Sequence, residues 1–275
     1  MKRMTLNAMK LAVPLFVALA YGPQALAMPV LGSPLASFAV LGGSTVTNTG
    51  ATILTGNLGV DPGGAITGKA TITVNGTNAS AIGNPSLHQA DAFAAQAQRQ
   101  LAVAMTNLGL LGPGTLEPAN LAGLTLLPGI YTVPAGVSNL TGTLTLNGMG
   151  NANAFWVFQM PSTLITSSGS AVNVINTGAG AGLYWNVGSS ATLGTTTSFA
   201  GNILALTSIT LNNGATISNG RALAHIGAVT LDANTITPTL AVPEPDTFLL
   251  FGVGLVELLV LMKKLKPTRA NTLST

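Results

Sequence analysis

The sequence predicts a mostly β protein: a β-solenoid of three short faces with one long α-helix packed alongside. Two motifs repeating in phase and one local change of period carry that reading. Gly182, Gly201 and Gly220 stand nineteen residues apart and open segments of one build, Gly182-Leu-Tyr-Trp-Asn-Val, Gly201-Asn-Ile-Leu-Ala-Leu and Gly220-Arg-Ala-Leu-Ala-His. Between them recur Thr192-Leu193-Gly194, Thr210-Leu211-Asn212 and Thr230-Leu231-Asp232, at spacings of 18 and 20. A fixed period of this kind is the mark of stacked coils. At about 3.3 Å per strand residue it gives a circuit of about 60 Å, enough for three short faces and their corners.

Composition agrees with such a fold and excludes several functions. The overall balance of +3 belongs to the ends, where Lys2, Arg3 and Lys10 open the chain and Lys263, Lys264, Lys266 and Arg269 nearly close it. Between Met28 and Val242 only Lys69, Arg99 and Arg221 oppose Asp61, Asp91, Glu117 and Asp232; three minus four leaves a net −1. No basic groove for a phosphate backbone can be built from these, so nucleic acid is excluded as a partner. The same stretch holds 30 threonines and 19 asparagines, which suit pleated strands and turns. With no cysteine, neither disulfides nor thiolate metal sites can hold the fold. Backbone ladders and stacked aliphatic side chains must do so.

Residues 1–27 read as a secretory signal peptide. Lys2, Arg3 and Lys10 form a positive start, Leu11 to Ala20 an apolar stretch, and Ala25-Leu26-Ala27 a small-x-small cleavage site. Residues 28–241 form the expected folded body. Its first extended pieces are Phe38–Leu41, Thr45–Thr47, Ile53–Leu54 and Ile72–Val74. The period then changes. Asn84-Pro85-Ser86 reads as a helix start, and Leu87, Ala90, Ala94, Ala97, Leu101, Ala104 and Leu108 recur at three and four, with Gln96, Gln98, Arg99 and Gln100 mostly opposite. One amphipathic helix over 86–108 is expected, its alanine stripe lying close against a flat sheet. Strands return at Gly129–Tyr131, Thr143–Leu146 and Phe155–Phe158, followed by the repeats.

The tail, 242–270, is a separate module. Pro243-Glu244-Pro245 precedes an apolar run from Phe248 to Met262 and then Lys263-Lys264-Leu-Lys266. Interrupted by Glu257, the run is short for a stable membrane span. In that order the three features resemble the PEP-CTERM sorting signal of Gram-negative bacteria. The resemblance implies a transient stay at the inner membrane, removal of the tail by an exosortase, and release to the cell surface.

Residues 31–240 resemble the ice-binding-like β-solenoid family. The resemblance rests on Leu35-Ala-Ser-Phe-Ala-Val-Leu-Gly-Gly-Ser-Thr-Val-Thr-Asn-Thr-Gly50, on Thr55-Gly-Asn-Leu-Gly-Val60, and on Leu127-Pro-Gly-Ile-Tyr131 after the inserted helix. Gly201-Asn-Ile-Leu-Ala-Leu-Thr-Ser-Ile-Thr-Leu211, Gly220-Arg-Ala-Leu-Ala and Gly227-Ala-Val-Thr-Leu-Asp232 are its strongest part. It implies an irregular, right-handed solenoid of triangular section, with ice as ligand.

Alternation makes the candidate contact residues specific. With Ile209, Leu211, Val229 and Leu231 inward, Ser208, Thr210 and Asn212 point outward, as do Ala228, Thr230 and Asp232. With Leu193 inward, Thr192 and Gly194 point outward. Stacking sets Thr192, Thr210 and Thr230 in a ladder, and the family match adds Thr45 and Thr47. Thr49-Gly50-Ala51-Thr52 resembles a Thr-Gly-x-Thr motif of some family members, but it occurs once and reads better as a turn.

Catalysis finds little to work with. The body's carboxylates show no glycosidase-like pair, and His88 and His225 have no partner at metal-ligand spacing. A nucleophile elbow is missing too. No enzyme activity, cofactor or metal is expected. The alternative to ice binding is a structural or adhesive protein of the exopolysaccharide matrix. Outward aromatics able to stack on sugars would favour it, and either Tyr184 or Trp185 must face outward.

Overall fold

Short alternating segments set the architecture. Val229–Asp232 buries Val229 and Leu231 and turns Thr230 and Asp232 outward. Thr143–Asn147 and Gly182–Val187 alternate in the same way. A segment with one apolar face must cover it, and each does so on a core shared by three sheets. The computed structural model describes residues 30–238. The expected signal peptide and the sorting segment with Pro243, Glu244 and Pro245 lie outside the described residues.

Two of the sheets have nine strands and one has six. The chain visits them in rotation. Asn202–Ala205 lies in the first nine-stranded sheet, Ile209–Leu211 in the six-stranded one and Thr216–Ser218 in the other nine-stranded one, called here the third sheet. The pairings between named strands are parallel, apart from Ile72–Val74 with Thr77–Asn78. Apart from that one hairpin, strands thus pair between passes.

Spatial order differs from chain order. Phe38–Gly42 lies between Ala222–Ala224 and Asn57–Val60, so the first pass stacks directly on the last. The second pass stacks beyond it and is followed by Leu87–Gln89. The helix, Ala92–Gly109, then carries the chain back to the opposite end, where Thr115–Leu116 begins the remaining passes. A helix of 18 residues, rising about 1.5 Å per residue, is long enough to cross several strand spacings of about 4.8 Å.

The helix is shorter than the periodicity predicts. Leu87–Gln89, expected as its first turn, pairs as a strand with Leu58–Val60. Asp91 is the N-cap: its Oδ1 accepts the Ala94 N–H at 2.8 Å, while Oδ2 lies 2.8 Å from His88 Nδ1. Burial raises the Asp91 carboxyl, but these hydrogen bonds outweigh it and hold the group below its ordinary value. Gln98 is a second correction. Expected on the outer side, it is buried, and its Nε2 donates to Gly42 O at 3.0 Å and Ala224 O at 3.1 Å. It thereby binds the helix to the first and last passes at once.

The glycine repeat is only partly in register. Tyr184 pairs with Asn202, so Gly201 lies over Leu183 and not over Gly182. Gly201 and Gly220 do stack, so closely that a Cβ on Gly220 would sit 1.8 Å from the Gly201 carbonyl oxygen. Gly201, at φ +96°, makes a one-residue corner where the preceding pass uses residues 176–181. Inside, Tyr131, Phe158, Trp185 and Phe199 form a run of ring contacts, the tightest being Phe158 on Trp185 at 4.1 Å.

Candidate functional site

The six-stranded sheet displays a threonine ladder longer than the repeats alone predict. Thr192 pairs with Thr210, Thr210 with Thr230, Thr230 with Thr47, and Thr47 with Thr67. Five threonines, one per pass at a step of about 4.8 Å, make one continuous row. Ile165 continues it beyond Thr192. Directly beneath, Leu164, Ala191, Ile209, Val229, Val46 and Ile66 form a buried row that fixes the orientation of the strands. Thr47 and Thr67 are exposed and Thr192, Thr210 and Thr230 half-exposed.

Flanking rows complete the surface. Thr45, half-exposed, pairs with Ala65 and lies one residue before the pairing of Val46 with Val229, beside Ala228. Ser208 is half-exposed, but its hydroxyl accepts the Ala228 N–H at 3.2 Å, so it serves the backbone as well as the surface. On the other flank Asp232 pairs with Thr49, and its Oδ1 accepts from Asn213 Nδ2 at 3.2 Å. Asp232 is the one charged residue in the strands of this sheet. Gly194, expected outward, is buried: its N–H donates to Thr166 Oγ1 at 2.9 Å, and a Cβ there would meet residues 166–168.

The hydroxyls divide into two populations. Those of Thr52, Thr132, Thr166, Thr197 and Ser170 make hydrogen bonds inside the protein. Among the described residues, those of Thr192, Thr210, Thr230, Thr47 and Thr67 make none. Each ladder threonine therefore offers water a methyl and an uncommitted hydroxyl, on a repeat of about 4.8 Å across the strands.

The other candidates fall elsewhere. Thr49-Gly50-Ala51-Thr52 is a corner: Gly50 has φ +74°, and the buried Thr52 hydroxyl donates to Asn48 Oδ1 at 2.6 Å. Trp185 points into the core, and Tyr184 lies half-buried on the first sheet with its ring 5.5 Å from Phe155. His88 stacks on Phe93, and His225 Nδ1 lies 3.2 Å from Gln98 Oε1. No group of His, Asp or Glu among the described residues is arranged to hold a metal.

Sequence reasoning missed Thr67. A signal was there, since Ala65-Ile66-Thr67 repeats the alternation of Thr45-Val46-Thr47. The offset between the two segments simply continues the period of the later passes.

Comparison with known proteins adds the family. The sequence model of the ice-binding-like family matches residues 40–237. The chain belongs to that family. It is 44% identical over 267 residues to an ice-binding protein of Nostoc sp. (strain HG1), covering 94% of this chain and 95% of that protein. Among solved structures it is similar to an ice-binding protein from an Antarctic biological consortium, at 42% identity and TM-score 0.65, over 75% of this chain and 89% of the other. It also resembles an ice-binding protein of the Antarctic ascomycete Antarctomyces psychrotrophicus, at 37% identity and TM-score 0.66, over 75% of this chain and 97% of the other. Within the ice-binding-like family, then, this member presents a continuous five-threonine row on one sheet.

Proposed function

We propose that this protein binds ice through the six-stranded sheet and thereby limits the growth or recrystallisation of ice. The observation that carries the reading is the ladder Thr192–Thr210–Thr230–Thr47–Thr67 with its uncommitted hydroxyls. Hydroxyls at a fixed repeat anchor individual waters, while the methyls between them prevent a denser hydration layer. The first shell of water then takes up an ice-like spacing and merges with the crystal. Thr45, Ser208 and Ala228 widen the contact surface on one flank and Asp232 bounds it on the other. The scaffold is a right-handed solenoid of triangular section, in which stacking of passes sets the repeat. No catalytic step, cofactor or metal is part of this function.

Export belongs to the same proposal. A signal peptide at 1–27 and a PEP-CTERM segment at 242–270 take the protein through the inner membrane of a Gram-negative cell. An exosortase acting near Pro243-Glu244-Pro245 then frees the body, so the membrane is a transient partner. Nucleic acid is not a partner, since one of the three basic residues of the body, Arg221, is buried. The alternative, adhesion within an exopolysaccharide matrix, would draw on Phe155 and Tyr184, which lie on a different sheet from the ladder. An ice-recrystallisation assay on residues 28–242 separates the two. Inhibition of crystal coarsening at micromolar protein is the expected result. Coarsening at the buffer rate, together with retention on the matrix polysaccharide, would replace this reading with the alternative.

A further inference from the structure

The third sheet repeats the surface chemistry of the ladder on a second side of the molecule. Ser198 pairs with Thr216, Thr216 with Thr235, Thr235 with Ile53, and Ile53 with Thr73. Two residues along the same strands, Ser218 pairs with Thr237. Ser198, Thr235, Thr237 and Ile53 are exposed, and Thr216 and Thr73 half-exposed. Among the described residues the hydroxyls of Ser198, Thr216, Thr235 and Thr73 have no protein partner, as on the ladder. Phe199, Ile217, Ile236 and Leu54 hold the row from beneath as a buried line.

Three physical features set this surface apart from an ordinary polar strand face. None of its strands contains a charged residue, so it is freer of competing hydration than the six-stranded sheet with Asp232. Small hydroxyl-bearing side chains stand at four of five successive passes, at the same spacing of about 4.8 Å. Ile53, 54% exposed and fourth in the row, continues it with apolar surface in place of a hydroxyl. Corners such as Asn212–Ala215 join this sheet to the ladder sheet. Since both close on one core, they face different directions.

We propose that the third sheet is a second ice-adsorbing face, one that takes a crystal plane different from that taken by the threonine ladder. The inference rests on the ice-binding reading of the ladder. Two non-coplanar faces with matched chemistry let one molecule adsorb in either of two orientations, so growth is blocked on two sets of planes.

The test uses the purified protein fused to a fluorescent protein and adsorbed to a single-crystal ice hemisphere, with thermal melting as a check on folding. Wild type should label two distinct sets of planes. Thr216→Tyr, or Thr235→Tyr if the first melts early, should remove one set and keep the other. Thr210→Tyr should remove the complementary set, and the double variant should label none. The second face is refuted if Thr210→Tyr alone abolishes all labelling, or if folded Thr216→Tyr and Thr235→Tyr label the same planes as wild type. A wild-type protein that leaves the hemisphere unlabelled overturns the ice reading itself, and this inference with it.

Discussion

Thr230 places on one Cβ two groups that make opposite demands on water. Its methyl excludes solvent, while its hydroxyl, free of protein partners, is open to water from a well-fixed position, because a β-branched side chain on a strand has little rotamer freedom. Asp232, two residues on, does the reverse: an ionised carboxylate gathers several waters in a geometry set by its own charge. It pairs with Thr49 at the edge of the ladder. Asp232→Thr should therefore extend the regular surface by one row and raise ice-recrystallisation inhibition, with little change in melting temperature. The concentration needed for half-maximal inhibition checks this. A marked loss of activity in a folded Asp232→Thr protein would mean that the carboxylate is itself a contact.

At the scale of the element, alternation explains why the strands are readable. Phe38–Leu41, Thr45–Thr47, Ile53–Leu54 and Ile72–Val74 are expected, and strands form at each, extended by at most two residues. Pairs such as Thr115–Leu116 and Leu164–Ile165 escape, since two residues carry no period. The periodicity misplaces the helix start because Leu87 and Ala90 fit the helical spacing by coincidence, whereas the cap that decides it is Asp91. Gln98 cannot be foreseen, because its burial depends on two carbonyls that come from opposite ends of the chain.

The aromatic strands give a stability contrast. Trp156 and Trp185 are both buried, but Trp185 Nε1 donates to Ala200 O at 3.0 Å whereas Trp156 Nε1 has no partner. An unpaired buried donor costs about 1–3 kcal/mol, so removing it offsets much of the volume lost on shortening the ring. Trp156→Phe should stay within about 1 kcal/mol of wild type, while Trp185→Phe should lose about 2–3 kcal/mol through its hydrogen bond and its stacking on Phe158. Denaturant titration of the two variants measures the difference; equal losses would contradict it.

For the whole molecule, the ladder exists because the chain does not stack in sequence order. Thr230 meets Thr47 although the two stand far apart in sequence, and the return made by the helix allows it. The join is held from several sides. Gln98 binds Gly42 and Ala224, and Arg221 donates from Nε and Nη2 to Ala36 O, with its Nη1 on Asn202 Oδ1 at 2.8 Å. Burial lowers the Arg221 guanidinium to about 10, which leaves it charged at neutral pH. The local repeat can be read from the sequence as three threonines, but the number of passes aligned on one face cannot. That number depends on which passes become neighbours, and here the family resemblance supplies Thr45 and Thr47 while Thr67 goes unseen.

On this proposal, flatness and regularity of the ladder, more than any single contact, hold the protein on ice. The most direct measurement is the fraction of protein taken up by a slowly grown ice hemisphere, for wild type, Thr230→Tyr and a control, Gln96→Tyr, on the exposed side of the helix. Thr230 stands at the middle of the five-threonine row, so one ring there lifts the surface off the crystal on both sides. With all three proteins melting alike, wild type and Gln96→Tyr should enter the ice equally and Thr230→Tyr should enter it measurably less, keeping only the share that the third sheet adsorbs. Equal uptake of folded Thr230→Tyr and wild type would contradict the account.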